Sequence, residues 1–396
     1  MVFLSDKLEN ENIICVSSSD WEKPYGSKQQ VMSVLASGNR ILYIEAQVSF
    51  LHLFLDPFEG AKRLMRAAGG LAKKGSIYIY TPPPLLPFSN YFLFINRINQ
   101  GLLLYCLKKL VKKLNFKRPI LWVYCAGSAE LLGKLEEKLS VYYCLDDFSS
   151  EIPNERRKKV MQSLERKLLT DSDIAFACTY SLCEQRKGIC PDIHFVRNGV
   201  DAGSFAVKIG PGKGPEDIRR IPSPRIGLVG TFDSRIDTGL IFFIAGQKPQ
   251  WQIILIGSNT PKGFDIRELN KHRNIHYLGF KKNELIAAYI NQMDICIIPY
   301  HTHGFNRHLF PLKTWEYLAA GKPVVSTALP ELDFLKDVIY IAADKNKFVA
   351  GIQELLSKGN DNFQAGIDIA NSNSWAALAK EIARHITQKL NMEQWG

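Results

Sequence analysis

Lys313 and Glu316 stand three residues apart in the stretch Pro311-Leu-Lys-Thr-Trp-Glu-Tyr-Leu-Ala-Ala-Gly-Lys-Pro-Val-Val-Ser-Thr-Ala-Leu-Pro330. On a helix that spacing puts both on one face. A helix N-terminus favours anions, and a lysine in its first turn makes a diphosphate the natural guest. A carboxylate one turn further on can accept both hydroxyls of a ribose, so the pair predicts a nucleotide-sugar site. The positioning elements are legible around it. Pro311 suits a first turn, Leu312, Trp315, Leu318 and Ala319 make an apolar stripe, and Gly321 stops the helix before the β-rich Pro323–Thr327. The plainer alternative is a weakly stabilising ion pair on a surface helix.

Three other constellations have suitable chemistry. Gly230-Thr231-Phe232-Asp233-Ser234-Arg235 follows an apolar strand, so Gly230 would let backbone amides approach a phosphate and Arg235 would add charge. Tyr300, His301, His303, Asn306 and His308 occupy a loop just before the Lys313 helix and would hydrogen-bond a sugar or phosphate. His301 and His303 alternate as metal ligands can, but no cysteine or carboxylate cluster nearby completes four ligands. Asp146 and Asp147 end another apolar strand; one of them facing a substrate would serve as general base, the other as a capping residue. Trp21 and Tyr25, in a polar loop after the first strand, are candidates for stacking on a sugar ring.

Short apolar runs alternate with helical patterns throughout the chain, the signature of parallel sheets covered by helices. Strands are expected near 13–17, 41–45, 77–80, 120–125, 141–145, 174–179 and 193–196, then near 226–229, 253–256, 275–278, 295–298, 324–326 and 339–342. A strong helix is expected over 154–170. The Gly- and Pro-rich stretch 208–224 predicts a linker, so the chain reads as two α/β domains, 1–207 and 225–374, followed by a helical tail over 375–396. Two doubly wound Rossmann-like domains would face a central cleft carrying the functional loops. The Gly-x-Gly-x-x-Gly spacing is absent after both leading strands, which argues against a dinucleotide enzyme.

Fifty basic residues against thirty-nine acidic ones give a net charge of +11, and the excess is concentrated. Between Ala61 and Arg118 there is no Asp or Glu, while lysines and arginines alternate with residues such as Leu64, Phe92, Phe94, Leu102 and Tyr105. Long apolar side chains beside lysines fit an interfacial surface on an anionic membrane better than a groove tracking nucleic-acid phosphates. A helix with one buried face and a solvated lysine face is the alternative. No apolar run reaches the roughly eighteen to twenty residues that span a bilayer, and Pro82, Pro83, Pro84 and Pro87 interrupt the best candidate. Asp6, Lys7, Glu9 and Glu11 ahead of the first apolar run do not resemble a secretion signal, and the eight cysteines include no Cys-x-x-Cys pair. A cytoplasmic protein with reduced thiols, peripheral on the inner membrane face, is expected.

Val141-Tyr-Tyr-Cys-Leu-Asp-Asp147, Asp173-Ile-Ala-Phe-Ala-Cys-Thr-Tyr-Ser-Leu182, Val196-Arg-Asn-Gly-Val-Asp201, Ile226-Gly-Leu-Val-Gly230 and above all Pro311–Val325 resemble the glycosyltransferases of the B-type fold. The likeness is to family 4-like enzymes of bacterial capsule, exopolysaccharide and teichuronic-acid assembly. It implies a nucleotide-sugar donor in the C-terminal domain, an acceptor in the N-terminal domain, and a C-terminal helix crossing back to the latter. By this resemblance Glu316 would bind the donor ribose, Lys313 and Arg235 the diphosphate, and Gly230 would admit the phosphates; Asp146 or Asp147 would stand on the acceptor side. Many retaining members carry a second glutamate eight positions before the ribose-binding one, where this chain has His308. Asn306 or His303 would then take over the sugar contact, or the enzyme inverts with an aspartate base. The resemblance further implies no required metal or other cofactor, as in members where helix dipoles and cations stabilise the departing diphosphate. The expected activity is transfer of a sugar from a nucleoside diphosphate, uridine-based, to a glycan or lipid-linked acceptor. The alternatives are a nucleotide-sugar epimerase of the same fold and a nonenzymatic nucleotide or nucleic-acid binder.

Overall fold

Among the described residues, runs of β-branched and aromatic residues form fourteen strands in two sheets. The computed structural model describes residues 7–22, 26–147, 149–150, 152–206, 214–269, 271–359 and 363–393 of the chain. In the first sheet lie β1 (Asn12–Val16), β2 (Arg40–Ile44), β3 (Leu71–Lys74), β4 (Ile77–Tyr80), β5 (Ile120–Val123), β6 (Leu139–Cys144), β7 (Ile174–Ala177) and β8 (Ile193–Phe195), in the order β3-β4-β2-β1-β5-β6-β7-β8. All neighbours run parallel except β3, which pairs antiparallel with β4. The second sheet holds β9 (Arg225–Val229), β10 (Gln252–Ile256), β11 (Ile275–Gly279), β12 (Ile295–Ile298), β13 (Val324–Thr327) and β14 (Tyr340–Ala342), wholly parallel in the order β11-β10-β9-β12-β13-β14. Central strands covered on both faces read as unbroken apolar runs, which is why the sequence reveals them.

By contacts the chain divides into two units, Met1–Asn198 with Trp375–Gly396, and Gly199–Ser374. Each has its own apolar core. The terminal helix Trp375–Glu393 belongs to the first unit, where Leu378, Ala379, Ile382 and Ile386 are buried in that core. The division therefore falls at 198/199, ahead of the stretch 208–224 expected as a linker. Residues 207–213 lie outside the described residues, but Ile218 and Ile221 are buried in the second core, and the Pro224 carbonyl accepts from the Gln252 amide. A few apolar anchors among prolines suffice to fix such a segment to its domain, and composition does not reveal them.

The edge strand β3 has no counterpart in the sequence reading. Leu-Ala-Lys-Lys carries no strand pattern, and it pairs only because Gly75, at φ +58°, turns the chain back onto β4. Over Glu155–Asp171 the expected helix forms, with the Asn154 side chain accepting from the Arg157 amide and Leu164, Leu168 and Leu169 buried.

The helix Leu93–Leu114 is unusual in what it buries. Asn96, Asn99 and Gln100 are enclosed, while Phe94, Ile98, Leu102 and Tyr105 are about half to nearly two-thirds exposed. The spacing of both sets is helical, so over these turns polar amides face inward and apolar side chains face out.

Candidate active site

In the second unit the glycine ending β9 meets the lysine heading the helix Lys313–Ala319. Gly230 has φ +142°, and a Cβ placed on it would lie 2.6 Å from Lys313 Nζ. Only glycine admits both the conformation and the lysine. A Cβ on Gly257, the residue after β10, would overlap the Gly230 carbonyl, so the two strand ends nest without side chains. Lys313 is nine-tenths buried; its ammonium sits 4.9 Å from the Tyr300 ring centroid and makes no hydrogen bond or ion pair among the described residues. Tyr317, one helical turn on, is fully buried and its hydroxyl accepts from the Val229 amide at 2.8 Å, tying the helix to the end of β9.

The helix begins at Lys313, two residues later than Pro311 suggests. Thr314 and Trp315 amides donate to the carbonyls of Pro311 and Leu312, a tighter turn that leads into it. Trp315, Leu318 and Ala319 are buried as the stripe predicts, whereas Leu312 is exposed. Gly321, at φ +66°, ends the helix. Glu316 is half-buried, and burial raises its carboxyl above the ordinary range against the opposing pull of Lys313.

Arg235 is not an open cation. Its guanidinium forks onto Asp233, with Nε 2.9 Å and Nη2 2.7 Å from the carboxylate oxygens. Burial pushes Asp233 up, but these bonds and the charge of Lys313 hold it below its usual range. Asn306 is buried and its amide nitrogen donates to the carbonyls of Arg235 (3.0 Å) and His301 (2.8 Å), so its donors clamp two loops together. His301 and His303 have rings 5.2 Å apart; His303 and Thr231 are exposed and His308 is half-buried.

In the first unit a cavity of about 680 Å³ opens at the carboxyl ends of β1, β5 and β6. Asp146 lines it and Asp147 does not. The Asp147 carboxylate accepts from the Ser149 hydroxyl at 2.9 Å and lies 3.8 Å from Arg186, while its carbonyl accepts from the Ser150 amide and hydroxyl. Lys28 feels Asp146: burial lowers its ammonium, and Cys125 and Asp146 oppose that shift. Ser17 and Tyr124 contribute to the same wall, and Gln47 bridges it by donating to Ser128 at 2.8 Å and accepting from Gln100 at 2.7 Å. Trp21 is buried edge-on against Tyr43 rather than offered to a sugar, and Tyr25 lies outside the described residues.

Residues 223–358 match the family model of the group 1 glycosyl transferases. TuaH of Bacillus subtilis (strain 168), whose name assigns it to teichuronic acid biosynthesis as a glycosyltransferase, is 28% identical over 292 residues, covering 68% of this chain and 72% of its own. Residues 223–358 thus resemble a group 1 glycosyl transferase domain, and the two-sheet architecture is that of the glycosyltransferase B fold. Among solved structures, a sucrose-phosphate synthase from Thermosynechococcus elongatus superposes with TM-score 0.71 at 16% identity, over 97% of this chain and 100% of its own. An E. coli structure titled trehalose-6-phosphate and bound with UDP-2-fluoro glucose does so with TM-score 0.67 at 12% identity, over 96% and 99%.

The second unit thus places Gly230, Tyr300 and Lys313 together, with Asp233–Arg235 beside them, while Asp146 lines the cavity of the first unit. Sequence reasoning missed Asp233 as the partner of Arg235, Tyr317 as the tie to β9, and the amides of Asn96 and Gln100. The last had a signal: polar residues at positions 96, 99 and 100 form a helical stripe inside an otherwise apolar segment.

Proposed function

We propose that this protein is a glycosyltransferase that moves a sugar from a nucleoside diphosphate, uridine-based, to a glycan or lipid-linked acceptor in cell-surface polysaccharide synthesis. The observation carrying this is Lys313: an ammonium nine-tenths buried, in no ion pair or hydrogen bond among the described residues, pressed against a glycine that leaves room beside it. A buried cation lacking a partner costs free energy unless a ligand anion supplies one, and a departing diphosphate needs such a charge. Glu316, on the same helix, accepts the ribose hydroxyls. A uridine donor is supported by the fold relative whose title records a UDP-sugar, and cell-surface synthesis by the name of TuaH.

Asp146 is the carboxylate on the acceptor side, where it takes the proton of the attacking hydroxyl if the configuration inverts, or orients that hydroxyl if it is retained. The exposed Phe94, Ile98, Leu102 and Tyr105, with lysines and an arginine along the same helix, seat the protein on an anionic membrane surface. Among the described residues no helix is long and apolar enough to cross a bilayer. The site is tested by thermal shift and donor hydrolysis with a panel of nucleotide sugars. Lys313→Ala and Glu316→Ala should each abolish the shift, and an undiminished response in both overturns the assignment.

A further inference from the structure

The first-unit cavity has two halves of opposite chemistry. On its floor, Asn96, Gln100 and Tyr124 are only 2%, 3% and 3% exposed. Asn96 Oδ1, Gln100 Oε1, the Tyr124 hydroxyl and Arg157 Nε are all buried without a hydrogen-bond partner among the described residues. Several orphaned polar atoms around one cavity are rare in a folded protein, because each costs about 1–3 kcal/mol when left dry. Two are carbonyl oxygens, which only a donor can satisfy. Sugar hydroxyls supply donors, and a sugar oxygen or anionic group supplies the acceptor that Arg157 lacks.

The mouth is apolar. Leu51, Leu55, Leu86 and Phe88 line the cavity yet are 46%, 80%, 40% and 55% exposed. Phe88 holds a left-handed backbone at φ +65°, a conformation unfavourable for a bulky residue, and so presents its ring at the rim. Asn99 grips the backbone of Leu86 with both its amide oxygen and its amide nitrogen at 2.9 Å, so the rim is held in place. A site for a free glycan gains nothing from exposed leucines around its entrance.

We infer that the acceptor is a single amphiphile, its sugar on the Asn96–Gln100–Tyr124 floor and its aliphatic chain lying across Leu51, Leu55, Leu86 and Phe88. This deepens the proposed function and rests on it for the word acceptor. The basic span from Ala61 to Arg118, free of carboxylates, suits the phosphate through which such a chain is joined to a glycan.

The test is calorimetric binding of n-alkyl β-glucosides from methyl to octyl, below their micellar concentrations. Affinity should rise roughly three- to fourfold per added methylene over the carbons that the rim covers. Leu86→Ser and Phe88→Gly should flatten that slope; Phe88→Gly also relieves the left-handed strain, so it folds. Ile266→Ser, at an exposed apolar position of the second unit, should leave it unchanged. An affinity indifferent to chain length overturns the inference, as does a slope that survives both rim substitutions or falls only with Ile266→Ser. Donor thermal shift reports separately on the Lys313 site, so failure there with the slope intact indicts the proposed reaction instead.

Discussion

Lys313 and Gly230 occupy each other's space: the ammonium lies where the glycine leaves a side chain out, 2.6 Å from the position a Cβ would take. Gly230→Ala therefore has to expel the lysine or rebuild the strand end. Donor kcat/KM should fall at least tenfold, as for Lys313→Ala, and the double variant should be no worse than the more impaired single one, since both remove one interaction. Full additivity of the two losses would show that they act separately.

The two adjacent aspartates should separate by assay. Asp146→Asn is expected to lower transfer by roughly a hundredfold or more, the usual contribution of a positioned acid or base, while leaving the donor thermal shift intact. Asp147→Ala removes the contacts to Ser149 and Arg186, so its effect should appear in the melting temperature. Reversed outcomes would exchange the two assignments.

Asn306 bonds two backbone carbonyls from within the protein. Asn306→Ala strands both, and a loss of about 2 kcal/mol is expected from the unsatisfied acceptors. Denaturant titration would record it; an unchanged midpoint would mean water replaces the amide.

His385 stacks on His194 with ring centroids 4.0 Å apart, near Arg384, Asp192 and Lys389. Burial, then the neighbouring His194 and Arg384, push it down to about 4 against the weaker pull of Asp192. The ordinary value is about 6.5, so the unfolded chain binds this proton first. Stability is therefore complete above about pH 6.5 and declines as pH falls toward 4. Melting curves across that window should slope less for His385→Phe; Asp192, depressed below its own usual range, loses its share only at lower pH.

The outward stripe of the helix Leu93–Leu114 should bind lipid. Wild-type protein is expected to sediment with vesicles containing anionic lipid, less so as salt rises. Ile98→Ser with Leu102→Ser should weaken this several-fold, and equal binding to neutral vesicles would remove the electrostatic part of the argument.

How much was legible beforehand follows from what each signal depends on. The central strands are apolar on both faces and the edges β8, β11 and β14 keep short apolar runs, so all announce themselves locally, as do the helix stop at Gly321 and the two charges of its first turn. Polar edge strand β3 does not, because its pairing depends on a partner rather than its own pattern. Spacing likewise placed Lys313 and Glu316 on one helix, but did not reveal that Arg235 is ion-paired while Lys313 has no ion pair among the described residues. That difference arises from Asp233 reaching Arg235 across a turn. The same limit explains the first unit: Asp146 and Asp147 are neighbours in sequence, and only the positions of Ser149, Arg186 and the cavity wall give them different surroundings. Orphaned atoms on Asn96, Gln100 and Tyr124 exist only because tertiary packing buries those groups without giving them partners. Local order was written in residue types; charge state and vacancy were decided by which distant side chains the fold brings within about 4 Å.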